Sequence, residues 1–143
     1  MLTKDGPKVI EFNARFGDPE TEVVLPKLKS DLTQMMLDIL ENKDVKPEFY
    51  DDAFLGVVMA AKGYPSSYTK NIPLRNPNEL RQQVFCMGVK EENGQLLSNG
   101  GRVLIVVGQG KTLKEAQQNA YQGVKEMEHP ELFHRSDIGW QAI

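Results

Sequence analysis

Cysteine is nearly absent: the 143-residue chain holds one, Cys86. No internal disulfide can form, which is the expectation for a reducing, cytoplasmic setting. Cys86 lies in the apolar run "VFCMGV" with no catalytic partner nearby in sequence, so it reads as a small core hydrophobe. Histidine is scarce as well. His129 and His134 stand near Pro130 with no cysteine or second histidine pair, a pattern that speaks for surface or packing roles and against zinc. No apolar run approaches the length of a membrane span, and no signal-peptide pattern opens the chain, so no membrane partner is expected. An excess of positive charge is missing too. The net charge is −3 and the isoelectric point about 5.4, which argues against a nucleic-acid partner. "GQGK", Gly108 to Lys111, is too short for a P-loop and reads as a strand-to-helix turn; no dinucleotide fingerprint is present. No serine–histidine–acid set can be argued from spacing, because such sets assemble only in the fold.

What remains is an ordinary globular balance, 40% hydrophobic and 26% charged. A chain of this length buries about two-thirds of its unfolded surface, so it needs no covalent staple.

The N-terminal "MLTKDGPKVIEFN" reads as two short extended runs joined by Lys4-Asp5-Gly6-Pro7. Within "VIEFNARFGDPETE", a strand would place Ile10, Phe12, Ala14 and Phe16 on one face and Glu11, Asn13 and Arg15 on the other. Asp18 then suits an N-cap and Pro19 a first helical position, with Glu20 and Glu22 complementing the helix end. Pro26 should end or kink that helix. A second helix starts at Ser30 or Asp31, with Leu32, Met35, Met36, Ile39 and Leu40 at the spacing of a buried stripe. The charged stretch Glu41 to Asp52 is the best domain boundary.

From Ala53 the character turns to β. "AFLGVVMAAKGYP", "QVFCMGVK" and "GRVLIVVG" read as strands, with Gln95 to Ser98 a short strand between the Asn93-Gly94 and Asn99-Gly100-Gly101 turns. Thr112 to Glu115 is a capping box opening a helix whose stripe is Leu113, Ala116, Ala120, Val124 and Met127, with Tyr121 beside it. The tail holds Leu132, Phe133, Ile138 and Trp140 and is expected to fold back onto the sheet.

The polar face of the first segment has two readings. Glu11 and Asn13 offer hard oxygen atoms to a magnesium- or manganese-bound nucleotide, and Arg15 can fork onto a phosphate or carboxylate. Gly17-Asp18-Pro19-Glu20 adds a close-approach glycine and a helix start suited to an anion. The plainer reading is an amphipathic strand with a solvated face, in a non-catalytic β-rich interaction module.

At "EFNARFGDPETE" the sequence resembles phosphoribosylamine–glycine ligases of the ATP-grasp superfamily. The likeness continues through "LPKLKSDL", "LGVVMAAKGYP", "SNGGRVLIVVGQGKTLKEAQQNAY" and "RSDIGWQAI", essentially the whole chain in order. The resemblance implies an α+β fold: residues 1–45 the C-terminal segment of an ATP-grasp domain, and residues 46–143 a small β-rich C-terminal domain like a rudiment single hybrid motif, with one amphipathic helix. It implies a reaction in which ATP phosphorylates the glycine carboxylate and the amine of 5-phosphoribosylamine attacks the acyl phosphate, giving glycinamide ribonucleotide, ADP and phosphate in purine synthesis. Matched position by position, Glu11 and Asn13 are the ligands of Mg2+ or Mn2+. Arg15 is the catalytic arginine beside the transferred phosphate or substrate carboxylate, and Gly17, Asp18, Pro19 and Glu20 form the substrate-side loop. The glycine-binding and ATP-clasping segments of that family lie upstream, so the chain is expected to be a C-terminal fragment that is inactive alone, its natural partner the missing N-terminal part. Two departures stand out: Gly88-Val89 where the family often has Gly-Thr, and Ser98 where threonine often precedes "NGGRV".

Overall fold

Two long apolar runs find each other. β3 (Ala53–Ala61) and β7 (Arg102–Gly110) pair antiparallel along nearly their full lengths in the computed structural model of the chain, which describes residues 1–12 and 14–143. On either side β4 (Gln83–Cys86) joins β7 and β8 (Leu132–His134) joins β3, giving a four-stranded antiparallel sheet in the order β4-β7-β3-β8. The remaining strands form two small hairpins: β1 (Leu2–Thr3) with β2 (Gly6–Pro7), and β5 (Val89–Glu92) with β6 (Gln95–Ser98). The fold is a mixture of helix and sheet, as the sequence led one to expect.

The helix α3 (Leu113–Glu126) covers one face of the sheet. Its N-cap is Thr112, whose hydroxyl accepts from the Glu115 amide, while the Glu115 carboxylate accepts from the Lys111 amide. Ala116, Ala120 and Val124 are buried on its inner side against Leu55, Val57, Met59, Val103, Leu104 and Val106. Small residues on the helix let it lie close to a sheet of branched ones, which is dense packing of the ordinary interior kind. On the other face α1 (Thr21–Lys27) brings Val23 against Ile105 over Gly56.

The tail returns as foreseen. β8 pairs Ala61 with Leu132 and Met59 with His134, and the Tyr121 hydroxyl donates to the Arg135 carbonyl and accepts from the Ile138 amide. Ser98 is wholly buried, and its hydroxyl accepts from the Ile72 amide at 3.0 Å.

Several expectations give way. "QVFCMGVK" is two strands, because the Met87 and Gly88 amides both turn onto the Val103 carbonyl and end the ladder of β4. Cys86 is exposed at the end of the edge strand β4, not in the core. Partial desolvation pushes its thiol pKa up, the opposite of an activated nucleophile. No strand forms among residues 8–12 and 14–16. A strand needs a ladder partner for its amides and carbonyls, and among the described residues none lies alongside. The intended inner side chains stay in water: Phe12 is 90% exposed, and Ile10 and Phe16 are exposed too. The second helix, α2 (Leu32–Leu40), is capped by Asp31 as expected, but its stripe is open. Met36 and Ile39 are exposed and Leu40 is 79% so, because nothing among the described residues covers that side.

Burial therefore predicts two contrasting outcomes for loss of an aliphatic side chain in this chain. Leu104→Ala, at a site with no exposure, should lower the urea-unfolding free energy by about 2–5 kcal/mol. Ile39→Ala, on the open helix face, should change it by less than ~0.5 kcal/mol.

Candidate functional site

The stretch that drew attention in the sequence runs irregularly to Phe16 and then turns sharply. The Arg15 guanidinium bends back to donate to the Phe16 carbonyl at 3.0 Å. The Thr21 amide and hydroxyl both donate to the Gly17 carbonyl, closing the turn and launching α1. Inside it, the Glu20 carboxylate folds over Gly17: a Cβ at Gly17 would stand 2.2 Å from Glu20 Oε2. A side chain at position 17 would therefore displace the Glu20 carboxylate from this position.

Two local expectations need correcting. Asp18 is not the N-cap of α1. The helix starts at Thr21, after a Glu20 that is already helical and makes no side-chain cap, and Pro19 sits in the turn, its bond to Asp18 being cis. A helix of 7 residues also makes no anion site of its own, so the turn rather than the helix end defines the cleft.

The turn gathers most of the residues singled out by sequence. Glu11, Arg15, Gly17, Asp18 and Glu20 line one open cleft of about 310 Å³. Pro19 is partly buried and does not line the cleft. Asn13 lies outside the described residues. The lining is three carboxylates and one guanidinium, a donor set of hard oxygens suited to a magnesium-sized cation that keeps waters and phosphate oxygens. Among the described residues no three acidic, histidine or cysteine side chains converge as a ready-made metal cage.

Sequence reasoning missed two features. Arg102, at the start of β7, donates to the Asp18 carbonyl at 2.9 Å and stands 3.2 Å from the Asp18 carboxylate. No spacing rule connects residues so far apart in the chain. Glu22 was given only a helix-end role, yet its Oε2 is enclosed without a partner among the described residues.

A second polar hollow, about 360 Å³, opens where β7 meets α3 and is lined by Asp52, Arg81, Gln82, Gln109, Lys111 and Asn119 among others. The lysine of "GQGK" is held here by Asp52 at 2.6 Å, not offered to a phosphate. His129 and His134 behave as packing residues: His129 Nδ1 accepts from the Glu131 amide, and the His134 ring stacks at a tilt on Tyr121.

A four-stranded antiparallel sheet backed by one long helix, with an open carboxylate-rich cleft at its margin, defines a small mixed α/β module. The family "Phosphoribosylglycinamide synthetase, C domain" matches residues 54–141. Phosphoribosylamine–glycine ligase of Halalkalibacterium halodurans is 50% identical over 100% of this chain and 34% of its own length. The enzyme of that name from Streptococcus pneumoniae is 47% identical over 100% of this chain and 35% of its own. The crystal structure of phosphoribosylamine–glycine ligase from Thermotoga maritima superposes with a TM-score of 0.84 at 33% identity, covering 97% of this chain and 35% of that one. The chain belongs to the phosphoribosylglycinamide synthetase C-domain family. It spans about a third of the length of the curated relatives it matches. No helix in the described residues is long and apolar enough to cross a membrane.

The Asp52–Lys111 pair yields a pH prediction. The Lys111 hydrogen bond, with a second from Gln109, holds the Asp52 carboxyl below the usual carboxylate range. A depressed acid contributes stability above its unfolded pKa and loses it as pH falls through the folded value, so the contribution fades below pH ~4. Lys111→Met should return Asp52 toward its ordinary pKa in a carboxyl-carbon NMR titration and flatten the acid limb of stability against pH.

Proposed function

We propose that this chain is the C-terminal part of an ATP-dependent ligase that joins glycine to 5-phosphoribosylamine, giving glycinamide ribonucleotide, ADP and phosphate. On this reading residues 1–45 are the last segment of an ATP-grasp domain, and residues 46–143 are the small hybrid-motif-like domain that closes against it. The observation that carries the reading is the single cleft lined by Glu11, Arg15, Gly17, Asp18 and Glu20, the segment at which the sequence resembles the ligases. The names of the relatives support it.

Glu11 and Asn13 are the residues that would hold Mg2+ or Mn2+, which when bound offsets phosphate charge and fixes its geometry. Arg15 would bind the transferred phosphate or the glycine carboxylate through its fork of donors. Arg15 now donates to its own neighbour's carbonyl, so it must swing to meet an anion. Gly17 leaves room for the Glu20 carboxylate to lie against the backbone. The remaining groups of the site, those that clasp ATP and bind glycine, belong to the part of the enzyme preceding this segment. The open face of α2 and the bare Ile10, Phe12 and Phe16 give that part an apolar surface to cover.

Two measurements test this. The purified, folded chain given Mg·ATP, glycine and fresh phosphoribosylamine should release no glycine-dependent ADP; turnover would mean that the chain holds a complete site. In the full-length protein, Glu11→Gln should reduce turnover by roughly 100-fold or more, with little change in melting temperature because Glu11 is exposed. Near-normal turnover would instead favour a non-catalytic module whose Glu11 and Arg15 simply face water.

A further inference from the structure

Arg102 is fixed at its root in the sheet and bonded at its tip to the cleft. It opens β7 opposite Ala60 of β3, and the buried Gly101 just before it accepts from the Ala61 amide at 2.8 Å. The Tyr64 ring closes over that turn so tightly that a Cβ at Gly101 would stand 2.1 Å from it. The backbone that launches the Arg102 side chain therefore belongs to the rigid sheet. The guanidinium crosses to the cleft, donating to the Asp18 carbonyl at 2.9 Å and lying 3.2 Å from Asp18 Oδ1. Among the described residues this is the sole hydrogen-bonded or ion-paired link between residues 1–20 and the four-stranded sheet.

Both partners are partly exposed, and exposed ion pairs add little to folding stability. What the contact does supply is position, because one acceptor is a main-chain carbonyl within the turn that shapes the cleft. We infer that Arg102 is a positioning residue of the ligase reaction: it sets the Gly17–Glu20 turn, the substrate-side wall of the cleft, against the closing domain's sheet. This rests on the reading of the cleft as part of the ligase site. The consequence is selective. A turn released from the sheet misplaces the wall facing glycine and phosphoribosylamine, while ATP keeps the contacts supplied from the rest of the enzyme.

The test uses the full-length enzyme that carries this chain. In Arg102→Ala, kcat/KM for glycine and for phosphoribosylamine should fall roughly 10- to 100-fold while the KM for ATP stays within about 2-fold. The melting temperature should move by less than ~2 °C. Arg102→Lys retains a charged donor able to reach the Asp18 carbonyl and should recover most of the loss, a rescue that a merely structural role would not give. Should Arg102→Ala not fold, Arg102→Met, which keeps the packing of the stem, carries the same expectation. Wild-type kinetics would overturn the inference. So would a uniform loss toward all three substrates with a lowered melting temperature that lysine does not repair. Glu11→Gln assayed alongside keeps the two claims apart: full turnover there sinks the reading of the cleft, whereas loss there with wild-type kinetics in Arg102→Ala sinks the inference alone.

Discussion

The pairing of β3 with β7 is the constraint on which the rest of the molecule hangs. The register runs from Ala53 opposite Gly110 to Ala60 opposite Arg102, with one irregularity between Met59 and Ala60. Because side chains alternate along a strand, that register decides which residues meet α3 and which meet α1. It also fixes both ends of the sheet. At one end Arg102 leaves β7 toward Asp18; at the other Lys111 and Gln109 meet Asp52, just ahead of β3. A slip by one residue would turn Val57 and Met59 out of the core and point Arg102 away from the cleft.

The first fifty residues obey a different balance. The segment Glu48–Tyr50 is tied back to Lys27, Lys29 and Ser30 by backbone and side-chain hydrogen bonds, and α1 is packed on the sheet. Yet α2 has no buried residue, and the described residues on either side of position 13 form no ladder. Exposed apolar side chains in such a row exceed what a solitary surface usually shows. Ordering the stretch into a strand costs backbone entropy that only a neighbouring strand and a covering apolar layer can offset. Were a strand to form near Glu11, its pairing and the burial of Ile10, Phe12 and Phe16 would have to come together.

Much of the domain beyond Ala53 was legible because its signals are local or periodic. The Thr112 cap, the Asn93-Gly94 turn, the long apolar strands and the stripe of α3 each follow from residues within a dozen positions. The return of the tail onto the sheet was legible from its apolar content, but only Leu132 and Ile138 pack against the core, while Phe133 and Trp140 stay exposed. Strand Val9–Phe16 and the buried stripe of α2 were misread for one physical reason: periodicity reports which face seeks burial, not whether a partner is present to provide it. Cys86 was misread because an apolar run does not say whether its strand lies at a sheet edge. Of the cleft, five of the seven named residues came together, since they are close in sequence and a single turn gathers them. Arg102 was illegible for the opposite reason, its contact with Asp18 spanning 84 positions.

That long-range contact bears on how the cleft holds its shape. The turn at Gly17 to Glu20 is anchored from within only by its own helix start, and a short helix confers little rigidity by itself. The sheet, by contrast, is densely packed and deforms little. A guanidinium rooted in the sheet and bonded to a main-chain oxygen of the turn passes that rigidity to the cleft. It does so without burying charge, and so avoids the desolvation cost of a buried pair. Its small contribution to folding follows from the same exposure that leaves the cleft open to a ligand. Where the guanidinium lands is set by the register of β7, so the position of the link follows from the sheet and not from the strength of the ion pair.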